Sequence, residues 1–159
     1  VVFSAGTIEY SRLILLTQKL QSAAFNLAEL TARDKELTTD GLANVFLAID
    51  QVVRPFDFAG SGRAIVPSVG VDEGEDAFVY WQCEGSGGFA VGSLVGSGAG
   101  NEAAVPEGLV GEGETLIVAE AFFDFEPLFG VGLAPQTLRR VAYYKPRLGE
   151  LMDVDCPGA

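Results

Sequence analysis

Residues 7–37, TIEYSRLILLTQKLQSAAFNLAELTARDKEL, run on without a single Pro or Gly. Within them Leu13, Leu16, Leu20, Ala23, Leu27 and Leu30 recur at a 3-4-3-4-3 spacing, which lines them up on one side of an α-helix. Arg12, Lys19, Gln21, Asn26 and Arg33 fall on the other side. The pattern predicts a long amphipathic helix that must bury its Leu stripe against something. Thr38, Thr39 and Asp40 then offer N-cap oxygens, and Leu42, Val45, Phe46 and Ile49 share one face of a second helix over about 40–53. Pro55 ends that helix, because the residue before a proline is pushed out of the α region.

From residue 56 the texture changes. AIVPSVGVD, DAFVYWQC, TLIVAEAFFDFEP and RRVAYYKPR are rich in Val, Ile, Phe and Tyr and are bounded by turn formers, so each predicts a strand. Between the second and third lies segment 85–114, in which ten of 30 residues are Gly, predicting a long surface loop with at most a short helical turn. Helices first and strands afterwards, without βαβ alternation, imply an α+β fold in which two helices pack on an antiparallel sheet. The helical region is residues 1–54 and the β-rich part 55–159 of one domain, as befits a chain of 159 residues.

The absence of His removes several chemistries. Ser-His-Asp and Cys-His catalysis, Cys₂His₂ zinc, proximal-His haem and facial-triad iron are all excluded, and two Cys cannot complete a Cys₄ site. Carboxylate chemistry or a hard metal on oxygen ligands is what remains. A net charge of −12 argues against a nucleic-acid partner, since phosphate binding rests on Lys and Arg. That charge is concentrated in residues 55–138, which carry thirteen acidic side chains against the single base Arg63. Residues 139–159 instead hold Arg139, Arg140, Lys145 and Arg147 against three acids, a pattern suited to a charged edge strand that discourages sheet-to-sheet association.

Asp72, Glu73, Glu75 and Asp76 surround Gly74 but lack the EF-hand spacing, so a solvated acidic turn is a better reading than a Ca²⁺ site. Glu120, Asp124 and Glu126 alternate with aromatics, which puts them on one face of a strand. A carboxylate pair there would suit a glycosidase, yet no cleft signature accompanies it, and a solvent-facing acidic strand is the simpler expectation. The GSGG and GSGAG runs lack the Lys-Ser/Thr ending of a phosphate-binding loop. No enzyme and no cofactor is expected.

The opening VVFSAGTI is apolar as far as Glu9, well short of the roughly 20 residues that span a bilayer. It has neither the initiator Met nor the basic region of a signal peptide, and reads either as the lower end of a membrane-anchored helix whose natural start lies upstream or as the opening of an ordinary soluble helix packed on the sheet. Here IEYSRLILLTQKLQSAAFNLAEL, residues 8–30, resembles the start of the TadE-like family, through Ile8, Glu9, Tyr10, Ser11, Arg12, Gln18, Leu20, Gln21, Ala23 and Ala24. GETLIVAEAFFDFEPLF, residues 113–129, resembles that family's late strand, and the two stretches cover about a quarter of the chain.

The resemblance implies a pilin-like fold and a minor pilin of the bacterial Tad (tight adherence, Flp-type) pilus. It would be anchored in the inner membrane with its domain in the periplasm, with other pilins and the assembly machinery as partners. The family's leader-peptidase site and early Glu would lie upstream of residue 1, so Glu9 is not that Glu. On this reading Leu13, Leu16, Leu20, Ala23 and Leu27 pack against partner helices, and Glu120, Asp124 and Glu126 form a subunit contact. In a periplasmic protein Cys83 and Cys156 would form one disulfide tying the C-terminal tail to the sheet, the alternative being two unpaired thiols. The competing reading is a secreted or surface adhesin-like module with glycan or Ca²⁺ specificity in the Gly-rich stretch; a carboxylate hydrolase ranks third.

Overall fold

A computed structural model of the chain describes residues 2–33, 37–74, 76–85, 87–147 and 153–157. Helix α1 covers Val2–Arg33 and α2 covers Thr39–Val53, followed by a single turn, α3, at Phe58–Ser61. Four strands complete the fold: β1 (Gly62–Gly70), β2 (Phe78–Glu84), β3 (Thr115–Phe125) and β4 (Gln136–Tyr144). The predicted α+β fold with an antiparallel sheet is therefore the one observed. Helix α1 begins about five residues earlier than the spacing predicted, and residues 34–36 lie outside the described part. Thr38 caps α2, its hydroxyl accepting from Gly41 N–H at 3.1 Å.

The sheet order is β2-β1-β3-β4, with every neighbouring pair antiparallel. Both β2 and β3 run opposite to β1, so they run parallel to each other, and the chain between them is a crossover rather than a hairpin. Pro67 interrupts the β1–β3 ladder, where neither Val66 nor Pro67 has a β3 partner.

One face of the sheet packs against the helices. Leu16, Leu20, Ala23 and Leu27 of α1 and Leu42, Phe46 and Ile49 of α2 meet Ala64, Val66, Trp81, Ile117, Ala119 and Phe123 in the main core. The Leu stripe of α1 thus finds its cover inside the same chain.

The other face carries the Gly-rich segment. Residues 87–114 are a long surface loop without a helical turn, as expected, but one that does not stand off from the sheet. They lie across the sheet, where Val95 and Ala103 join Val69, Val79, Leu116 and Val118 in a second core. Backbone bonds hold the layer down, among them Val79 N–H to Asn101 O at 2.9 Å and Ala103 N–H to Ala77 O at 2.7 Å. Its glycines permit the close fit. A Cβ at Gly87, whose φ is +154°, would come within 2.2 Å of Gly62 O. Consequently β3 is buried on both faces, and its alternation of aromatic and acidic residues does not translate into an inner and a wet side.

Candidate functional site

Cys83 and Cys156 form a disulfide, with their Cα atoms 5.2 Å apart. Cys83 is buried in the main core, and Val154 of the tail is buried with it. The bridge closes a loop of 73 residues in sequence separation. Loop-closure entropy alone assigns such a crosslink about 4 kcal/mol.

The helix residues assigned to partner packing need correction. Leu16, Leu20, Ala23 and Leu27 are fully buried within this chain, and Leu13 packs against the same core half-buried. They cannot also face another helix, because the sheet and α2 occupy that side. The apolar surface that remains lies elsewhere on the same helix. Phe3, Ile8, Ile14 and Leu15 are exposed, Phe3 at 93% and Ile14 at 58%. Tyr10, Leu128 and Phe129 add exposed rings and aliphatic carbon at this end of the molecule. Ile14 and Leu15 fall outside the 3-4 stripe in the sequence, which was the signal that a second side of the helix is apolar.

The N-terminal part of α1 is held to the turn after β3 by polar contacts. Glu9 is fully buried, and its carboxylate accepts from Phe129 N–H at 2.6 Å, with Arg12 Nη1 3.6 Å away. The Arg12 guanidinium stands over the rings of Phe125 at 5.7 Å and Phe56 at 5.9 Å. Tyr10 OH donates to Gly132 O at 3.2 Å. Together these shape a shallow groove of about 510 Å³ between Phe3, Gly6, Tyr10 and Ile14 on one side and Val131 and Gly132 on the other. Sequence spacing alone does not place Glu9 opposite Phe129, 120 residues away.

Of the three acids assigned to a subunit face, Glu120 has no surface at all. Arg139 Nε and Nη2 donate to its carboxylate at 2.9 and 2.7 Å, Leu94 N–H donates at 3.2 Å, and Ser93 Oγ–H donates as well. It is the post to which the Gly-rich layer is tied, so it drops out as a contact residue. Asp124 is half-buried and Glu126 exposed. The three do not converge on a reacting centre.

Asp72, Glu73 and Asp76 are exposed, and Asp72 accepts from Tyr80 OH at 3.1 Å; Glu75 lies outside the described residues. Among the described residues no three Asp, Glu or Cys side chains gather as they would around a metal ion. Of the basic C-terminal group, Arg139 and Arg140 lie on the edge strand β4, with Arg139 turned inward to Glu120, while Lys145 and Arg147 follow the strand, Lys145 bound to Glu114 at 2.6 Å. The Lys145 hydrogen bond, helped by Gly111 N–H, holds the Glu114 carboxyl below its ordinary pKa.

Among the described residues no helix is long and apolar enough to cross a membrane. Compared with family models, curated proteins and solved structures, the chain matches none.

Proposed function

We propose that this chain is a non-enzymatic minor pilin or pilus-assembly subunit of a bacterial Tad pilus, acting in priming or assembly and in surface adhesion. The observation that carries this reading is the apolar skin of the N-terminal half of α1. Phe3, Ile8, Ile14 and Leu15 stand in solvent on a helix whose opposite side is already filled by its own core. Large apolar side chains gathered on an exposed helix face mark an interaction surface. The resemblance of residues 8–30 and 113–129 to the TadE-like family names that cover as other pilin helices, with an inner-membrane anchor upstream and this domain in the periplasm.

The mechanism is packing. Small residues beside the exposed side chains, Gly6 and Ser11 on α1, let a neighbouring helix approach closely. Partner choice then rests on Phe3, Ile8, Ile14 and Leu15 rather than on the buried Leu stripe.

The test is piliation of the native host carrying Ile14→Asp together with Phe3→Asp. Loss of pili, with the purified domain still folded, supports the reading. Normal piliation overturns it.

A further inference from the structure

The turn between β3 and β4 ends in an apolar tip. Leu128 is 63% exposed and its neighbour Phe129 54%. The chain carries a net charge of −12, yet residues 127–138 contain no charged side chain. Beside the tip lies the start of α1, where residues 2–11 contain a single charged group, Glu9, and that carboxylate is fully buried. An acidic molecule thus has one end that presents carbon without charge, and Glu126, exposed, is the first charge behind it.

The main chain of the turn is treated in the same way. Phe129 N–H donates inward to Glu9 at 2.6 Å, and Gly132 O accepts from Tyr10 OH at 3.2 Å. In water an exposed turn satisfies such groups with solvent and needs no buried carboxylate. Where water is scarce an unpaired N–H or C=O is costly, and partners inside the molecule remove that cost. Gly130 and Gly132, at φ +63° and +77°, make the bend behind the two side chains. The tip is therefore held in place against α1, and it projects. A protein partner has to supply a hollow that matches a projecting tip; a bilayer surface needs none.

We propose that the Leu128–Phe129 tip inserts into the interface of an electrically neutral lipid bilayer. The two side chains lie among the upper acyl carbons, and Glu126 stays at the level of the headgroups. Tyr10, with an apolar ring and a polar end, sits at the boundary between them. Glu9 acts as a positioning residue that fastens the tip beside the first turns of the helix. The acidic remainder of the chain faces away from the lipid and disfavours anionic headgroups. The inference is independent of the pilin reading: it assigns the tip and leaves Ile14 and Leu15 of α1 to other helices, and piliation of the host is a separate readout.

The test uses the purified, disulfide-bonded chain and vesicles of phosphatidylcholine. With Phe129→Trp, emission is expected to shift to the blue on addition of lipid and to be quenched by lipid brominated on its acyl chains. Trp81, buried in the main core, is the reference, since in the unchanged chain its emission does not respond. Leu128→Asp lowers the partition coefficient about tenfold with the circular dichroism spectrum unchanged, whereas Ile14→Asp, on the helix side, changes it less than about twofold. Exchanging about a third of the lipid for phosphatidylglycerol weakens binding. Absence of quenching at about 10 mM lipid, equal loss from Leu128→Asp and Ile14→Asp, or tighter binding to the anionic vesicles overturns the proposal.

Discussion

The two faces of the sheet are buried by different means. Helices cover one face with a stripe of Leu and Ala, whose backbone hydrogen bonds are closed within the helix and ask nothing of the sheet. An irregular Gly-rich layer covers the other, and its backbone must find partners outside itself, at Val79, Ala77, Val71 and the Glu120 carboxylate. The first face is held by apolar area. The second depends on a few polar anchors, of which Glu120 is central.

The comparison breaks most easily on the helical side. Leu20→Asp puts an unpaired carboxylate into the main core, and the chain is expected to be unfolded at room temperature by circular dichroism; Leu20→Ala should cost about 2–5 kcal/mol in denaturant titration. Next comes the covalent tie on the same face. Replacing Cys83 and Cys156 by Ala together is expected to remove about 4 kcal/mol, read as a lower melting temperature in oxidising buffer.

On the loop side, Glu120→Ala strands the donors of Ser93, Leu94 and Arg139 and is expected to cost about 3 kcal/mol. Its sharper signature is local. Amide exchange over residues 91–104 should accelerate far more than exchange in α1, and equal acceleration would show that the two faces are not independently held. The smallest effect belongs to Glu114 and Lys145, where the Gly-rich layer ends. The folded state lowers the Glu114 pKa, so the stabilisation is complete above the ordinary carboxylate range and fades as pH falls through the lowered value. Lys145→Met should raise the Glu114 titration midpoint by NMR and flatten that dependence.

The legibility of the chain follows the same division. Both long helices were readable because a 3.6-residue periodicity reports a buried side directly, and all four strands because runs of Val, Ile, Phe and Tyr stand between turn formers, which together give the α+β class. With two Cys in the sequence the pairing was fixed once a disulfide was expected, and that expectation came from the periplasmic setting that the family resemblance implies. The layer over the second face was not, since a Gly-rich segment has no periodicity from which burial can be inferred. That omission propagated to Glu120: on a half-wet strand an acid at that position faces water, and only the unseen cover and Arg139 turn it inward. Likewise the Leu stripe of α1 announced that it would be buried without saying by whom. Its own sheet is the answer, which moves any surface for other helices to Phe3, Ile8, Ile14 and Leu15.

The crossover between β2 and β3 divides the chain into a leading part, α1 through β2, and a trailing part, β3 through the tail. Cys83 belongs to the leading part and Cys156 to the trailing one. A protease that cuts anywhere in the Gly-rich crossover therefore releases no fragment: the nicked protein migrates as two pieces only after reduction. Cleavage of the Gly-rich crossover thus leaves the leading and trailing parts covalently joined.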